Sequence, residues 1–352
     1  MPSDIPITLT VGENLAGIAT TKSALDGFSK GAGRMVECAG CGSRFVINRF
    51  AFSEEGMNLI APMIFPLVFF PLMLYSQDLT GVIDIHAHAD PDSLPRSIDA
   101  IDLAKLAQKR GMRGLVLKNH YEPTASLAYL VRKEVPGIEV FGGISLDLPV
   151  GGVNPAAVEQ MAGVKGGWGR VVWMPTFDAE NQVRYSKENR PFASVVRNGQ
   201  VTAEVKEVLA IIARRKLVFE TGHSAPEESL LMIREARRLG VERIVVTHAM
   251  APPVKMSVPQ MQEAAKLGAY LEFAYNFLMG KSKAYSIEEY AAAIRAVGPE
   301  HCILSTDLGQ PGNPLHPDGL EAFFQALRTQ GFTEAEINRM AKRNPADLLG
   351  LP

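Results

Sequence analysis

LVFETGHSAPEESLLMIREARRLGVERIVVTH, residues 217–248, contains one complete structural unit. An apolar run opens it and ends at His223. Ser224 and Pro226 then lead into a stretch where Leu230, Leu231, Ile233, Ala236 and Leu239 fall near one stripe at helical spacing. Gly240 stops that stretch, and a second apolar run, RIVVTH, ends at His248. Proline at a helix start lacks only an amide that would be unpaired there, and glycine past the end accepts left-handed backbone. A strand, a helix and a returning strand over this length read as a parallel β–α–β unit.

The same unit recurs in both directions. GVIDIH, GLVLK, VFGGISL, RVVWMPT, LVFETGH, RIVVTH, YLEFAYN and CILSTD end at residues 86, 118, 146, 176, 223, 248, 276 and 307. Helical stretches at 98–110, 257–267 and 286–297 each stop at or near a glycine. Eight such units in series predict a closed (β/α)8 TIM barrel over residues 81–352. An open doubly wound sheet is the lesser reading, because no glycine-rich phosphate turn follows the first run. The widest interval, 177–200, predicts an extended loop after strand four, where barrel enzymes bind substrates.

Residues 1–80 lack this rhythm and read as a small N-terminal appendage. Residues 35–50 have the pattern of a hairpin turning at 40–43. Within that turn Cys38 and Cys41 have the spacing of half a zinc knuckle, of a redox pair or of a plain turn, and all three readings stay open. Residues 58–75, NLIAPMIFPLVFFPLMLY, carry no charge but are interrupted by Pro62, Pro66 and Pro71. Proline removes amide donors and bends helices, so a buried or dimer-facing segment is favoured over membrane contact or a cover for a substrate channel. A homodimer or higher homo-oligomer follows from that reading.

A formal net charge of -2 argues against a large electropositive surface for nucleic acid. Three cysteines fit a reducing, cytoplasmic compartment better than a secreted disulfide scaffold. No basic start followed by an apolar core opens the chain, so no secretory signal is expected.

Asp84-Ile-His86-Ala-His88 is the strongest local signal. Alternate residues of a strand share a face, so His86 and His88 can point together into the barrel mouth. Four of the seven histidines, His86, His88, His223 and His248, lie at the ends of three expected strands, and Asp307 ends the eighth run. Neutral imidazole and carboxylate suit zinc, manganese or iron, as one ion or two. Lys118, at the end of run two, reads as a salt-bridged loop residue, a clamp for a substrate anion, or, if carboxylated, a bridge between metals. His120 can coordinate, orient substrate or cap the next element, in which Thr124 has the position of an N-cap. Tyr121 is a candidate hydrogen-bonder to substrate by its address alone. Glu272 reads as a partner of a ligand or a residue facing the helices, Trp173 as core, and Glu220, opposite in parity to His223, as a poor ligand.

These motifs together resemble the amidohydrolase superfamily: DIHAH in strand one, TGH in strand five, VTHA in strand six and STD in strand eight. The resemblance covers residues 81–351, and KRNPADLLGL at 342–351 is similar to the closing helix of those enzymes. It implies that His86 and His88 form the first metal pair and that His223 and His248 are the later histidines. Asp307 would be the aspartate that handles the water proton. Members with two metals often carry a carboxylated lysine on strand four, where this chain has VVWMPT instead. Its candidate, Lys118, ends strand two. KNHYEPT and WMPT also resemble a less characterised branch, which assigns no substrate.

The expected activity is hydrolysis of an amide, cyclic amide or ester-like bond in a small molecule, with Asp307 and His248 as catalytic groups and Lys118, His120 and Tyr121 toward substrate. A metal-dependent decarboxylase is the rival on the same scaffold, with Lys118 as its carboxylate clamp. A non-catalytic binding or assembly protein is the rival outside enzymes.

Overall fold

The structure, a computed structural model, describes residues 79–352 and two short strands before them. The chain divides into two units, Met1–Met73 and Leu74–Pro352. In the first, β1 (Met35–Glu37) pairs antiparallel with β2 (Arg44–Val46), in the register Met35 opposite Val46. The hairpin expected at 35–50 is therefore present in its strands. Cys38, Cys41 and residues 58–75 lie outside the described residues. Among the described residues no helix is long and apolar enough to cross a membrane.

The second unit alternates strand and helix in the order the sequence predicts. It runs β3 (Ile83–Ala87), α1 (Ala100–Lys109), β4 (Gly114–Leu117), α2 (Ala125–Glu134), β5 (Glu139–Ser145), α3 (Pro155–Ala162) and β6 (Gly169–Trp173). After β6 come α4 (Glu180–Tyr185) and a small antiparallel pair, β7 (Val196–Arg197) with β8 (Gln200–Val201). The wide interval after strand four is thus a folded excursion, not a plain loop. The series resumes with α5 (Ala203–Arg215), β9 (Val218–Glu220), α6 (Pro226–Arg238), β10 (Ile244–Val246), α7 (Val258–Lys266) and β11 (Tyr270–Ala274). It closes with α8 (Ile287–Val297), β12 (Cys302–Ser305), α9 (His316–Thr329), α10 (Glu334–Asn338) and α11 (Asn344–Leu349).

Local chemistry sets the helix limits. Asp99 accepts from the amides of Ile101 and Asp102, both at 2.9 Å, at the start of α1. Ser286 and Glu289 form a reciprocal capping box on α8. Thr124 holds the N-cap position of α2, but its hydroxyl does not cap. It donates to the Leu117 carbonyl at 2.7 Å and accepts from Gly143 N, tying β4 to β5.

β3 to β6 and β9 to β12 form one parallel sheet in sequence order. Its two edges meet: Asp307 N donates to the His86 carbonyl at 2.9 Å and His88 N to the Leu308 carbonyl at 3.0 Å. Asp84 stitches the same seam, accepting from Thr306 N at 3.1 Å and from its hydroxyl at 2.5 Å. Pairing the edges removes the unsatisfied strand that an open sheet would expose.

The barrel interior is filled by alternate strand residues, among them Val116, Phe141, Val171, Trp173, Val218, Val245 and Ile303. Ala346, Leu348 and Leu349 of α11 join that inner core. Two residues further along the same faces stand Lys118, Glu220, Thr247 and Ser305, and all are buried. With Glu272, which lies between outward Leu271 and Phe273, they form a polar layer above the apolar one.

Candidate metal centre

β3 breaks its own alternation to build the centre. Ile83 and Ile85 pack in the interior and Ala87 in the outer layer, with a register shift between Asp84 and Ala87. That irregularity lets His86 and His88 face inward beyond Ile85, which unbroken alternation would not allow. His86 Nε2 then lies 3.2 Å, and His88 Nε2 3.0 Å, from Asp307 Oδ1.

The hydrogen bonds behind these rings fix their tautomers. His86 Nδ1 donates to Glu272 Oε1 at 2.9 Å, and His88 Nδ1 donates to the Lys118 carbonyl at 2.7 Å. Each ring therefore turns its Nε2 toward the Asp307 carboxylate. Burial holds His88 well below the usual imidazole range. At Asp307 burial raises the carboxyl, but the imidazoles of His86, His88 and His248 outweigh it and hold the group well below the usual carboxylate range. His86 Nε2, His88 Nε2 and Asp307 Oδ1 thus converge, with the Lys118 amine beside His86 Nε2. Two imidazole nitrogens and a carboxylate oxygen this close form a donor set that suits a divalent cation. Ligands about 2.1 Å from zinc at a tetrahedral angle sit roughly 3.4 Å apart, close to the spacing found here.

Of the residues singled out in the sequence, His86, His88 and Asp307 form one group of donor atoms, all within 4.8 Å of one another. His223 and His248 form an adjoining pair, with Nε2 atoms 3.1 Å apart. His223 Nδ1 donates to Gln182 Oε1 of α4 at 2.8 Å. His248 Nδ1 is buried and has no partner among the described residues. Burial lowers His223 well below its usual range and His248 to about 4. The His248 ring stacks 5.8 Å from His86, so the two groups adjoin.

Backbone conformation marks the same residues. His248 has φ 26° and Asp307 φ 51°, the left-handed region that residues other than glycine avoid. Such positions cost on the order of 1–3 kcal/mol each and persist where the surroundings hold them. Glu272 Oε2 accepts from His248 N at 2.6 Å and holds one of them. Gly222 makes the turn that presents His223. Its φ is 62°, and a Cβ there would come 2.3 Å from the Met174 carbonyl.

Lys118 is 1% exposed, and its Nζ lies 3.0 Å from His86 Nε2. Its amine faces the histidine group, and burial lowers it despite the carboxylates of Asp307, Glu220 and Glu272. His120 lies outside the three-residue donor group, its ring 5.0 Å from that of His88, and α2 takes Thr124 at its N-cap position. The Thr176 hydroxyl donates to Asp147 Oδ2, so His120 Nδ1 donates to Thr176 Oγ1 at 2.8 Å. Phe177 covers His120 with centroids 3.8 Å apart. Tyr121 stands 6.3 Å from the His120 ring and outside the lining of the mouth cavity.

Glu220 and Glu272 sit in apolar runs, and a charged residue inside an apolar run was their signal. Glu220 stays outside the three-residue donor group, and because β9 ends at Glu220 the turn through Gly222 sets the direction of His223 on its own. Thr247 donates to Glu220 Oε2 at 3.0 Å, while burial and the charge of Glu272 push the Glu220 carboxyl well above its usual range. Glu272 itself is held at about 2, its burial outweighed chiefly by His86. Asp147, Thr176, Gln182 and His316 gave no local signal. His316, buried at the start of α9, donates Nε2 to the Leu308 carbonyl at 2.9 Å beside Asp307.

Solved structures share this barrel. The chain is similar to an organophosphorus hydrolase from Deinococcus radiodurans, at 16% identity and TM-score 0.54, covering 78% of this chain and 93% of that one. It is similar to an amidohydrolase from Pseudomonas aeruginosa, at 16% identity and TM-score 0.53, covering 77% and 95%. At this identity the likeness is one of fold. No curated protein matches the chain. Residues 81–272, more than half of the chain, match DUF6282, a family of unknown function, and the chain belongs to that family.

Proposed function

We propose that this protein is a metal-dependent hydrolase acting on an amide, cyclic amide or ester-like bond in a small molecule. The observation that carries the reading is the convergence of His86 Nε2, His88 Nε2 and the Asp307 carboxylate, with both Nδ1 atoms engaged by other acceptors. His86, His88 and Asp307 would hold a first divalent cation, with zinc, manganese and iron all suited to the donor set. His223, His248 and Lys118 border a second position. An ammonium 3.0 Å from a ligand nitrogen is repelled by a bound cation, so Lys118 would serve there as amine or carbamate. When bound, the cation supplies a Lewis acid that acidifies water and polarises the bond to be cleaved.

The chain's own groups complete the chemistry. Asp307 accepts the water proton and returns it to the leaving group. His223 and His248 face oxygen charge that develops during cleavage, with His248 held at its angle by Glu272. Phe177 excludes water on the side of His120. The decarboxylase alternative uses Lys118 as a carboxylate clamp, and an amine turned to His86 does not favour it.

Elemental analysis of protein purified without added metal, paired with turnover on an amide and ester panel, tests this reading. One or two equivalents with water-dependent cleavage support it. Failure to bind stoichiometric metal after reconstitution removes its basis.

A further inference from the structure

A cavity of about 460 Å³ opens at the mouth of the barrel, within the range of small-molecule sites. His88, His120, His223, His248 and Asp307 lie at its reactive end. Its other walls are largely apolar, with Leu94, Pro95, Phe177, Pro253, Phe277 and Pro311. The amides that reach it are engaged. Gln182 serves His223, Gln310 Nε2 donates to the Asp307 carbonyl at 2.8 Å, and Asn276 Oδ1 accepts from Asn313 at 3.2 Å.

Arg96 is different. It lines the cavity from the loop between β3 and α1, and its side chain is 4% exposed. Its one partner among the described residues is Asp92. Nε donates to Asp92 Oδ2 at 2.7 Å, and Nη2 lies 2.5 Å from the same oxygen but is not aligned for a hydrogen bond. Nη1 has no partner among the described residues. A guanidinium carries five N–H donors, and one carboxylate oxygen meets only one edge of it. An anion entering the cavity can meet the donors that Asp92 leaves free.

The loop holds this group in place. Asp92 Oδ1 accepts from Leu94 N at 3.2 Å, fixing the turn before Arg96. Ser97 N donates to the Gly309 carbonyl at 2.8 Å, and Asp90 N to the Ile98 carbonyl at 2.9 Å. The first of these ties the residue after Arg96 to the segment that carries Asp307. The guanidinium and the metal centre are therefore parts of one braced rim.

We infer that the substrate carries a carboxylate or phosphate group, gripped by Arg96, on an otherwise apolar small molecule whose scissile bond lies against His88 and Asp307. Arg96 suits this because its planar fork accepts a two-oxygen anion, and partial pairing with Asp92 aims the fork without filling it. The inference rests on the hydrolase reading for the word substrate. The anion subsite itself is tested by binding alone.

Benzoate and its neutral isostere benzamide are titrated calorimetrically into wild type, Arg96→Met and Arg96→Lys, each at matched metal content and melting temperature. Wild type should prefer benzoate, and Arg96→Met should weaken benzoate by roughly 10- to 100-fold while leaving benzamide unchanged. Arg96→Lys should recover part of the loss. Equal benzoate affinity in wild type and Arg96→Met means that the anion sits on the metal alone and overturns the inference. So does failure of wild type to bind benzoate at millimolar concentration. Turnover separates the two readings. Amides and esters bearing a free carboxylate should be cleaved faster than their methyl esters by wild type but not by Arg96→Met. Cleavage of neutral members only, unaffected by Arg96→Met, keeps the hydrolase and overturns the anion subsite. No cleavage of any member by metal-loaded protein, with benzoate binding still dependent on Arg96, sinks the hydrolase and keeps the subsite.

Discussion

The centre has two halves built by different means. His86, His88 and Asp307 straddle the seam where β3 meets β12, and backbone bonds across that seam set their spacing. His223 and His248 stand on turns after β9 and β10, and are held by Gln182 from α4 and by Glu272. The first half is fixed by the closure of the barrel. The second is fixed by an excursion of the chain and a buried carboxylate. A trio set by barrel closure and a pair set by side-chain hydrogen bonds suit, under the proposed function, different tasks: holding a cation, and meeting charge that develops in a reaction.

The widest test of this division compares two double variants. His86→Asn with His88→Asn should abolish stoichiometric metal and lower turnover by roughly 10³-fold or more. His223→Asn with His248→Asn should keep one equivalent and lose about 10²-fold. Elemental mass spectrometry beside steady-state kinetics reads both. Equal loss of all metal in the two proteins would merge the halves into a single binding unit.

Asp307→Asn sharpens the role of the trio. It should retain metal at reduced affinity while kcat falls about 10²- to 10⁴-fold, as expected for a lost proton acceptor. Full turnover by a folded, metal-loaded variant would assign the proton to another group.

Glu272 touches both halves, so Glu272→Gln should weaken metal binding by about 10- to 100-fold and also disturb His248. Competition with a chelator measures the first effect, and the kcat of metal-saturated protein the second. An unchanged kcat would confine Glu272 to the trio.

The smallest effect is one of stability. His88, His120 and His223 are held below the usual range, and His248 and His316 at about 4, all by burial. A base with a depressed folded pKa contributes stability that is present above its unfolded value, near 6.5, and lost as pH falls through the folded value. Asp84 and Asp147, raised to about 6 by burial, act in the opposite sense at lower pH. Metal-free protein should therefore lose urea resistance between pH 7.5 and 6, and His316→Gln should flatten that slope. A flat profile in wild type would mean that these rings change protonation as readily in the fold as outside it.

What the sequence determined by itself was local. Alternation and helical spacing, with proline and glycine at the ends, located the eight strands and four of their helices because each pattern depends on neighbours within one element. That His86 and His88 share a face was local for the same reason. Tertiary structure decided what depends on register between strands distant in sequence. Glu220, Lys118 and Thr247 share a layer only because the barrel aligns them, and the inward turn of both Ile85 and His86 required the irregularity beside β4. The links from His120 through Thr176 to Asp147, and from Arg96 to Asp92 and Gly309, pass between loops that no periodicity relates. Side-chain hydrogen bonds have no repeat along the chain, so only the folded arrangement could reveal which histidine nitrogens are engaged by Glu272 and the Lys118 carbonyl and which are left to face Asp307.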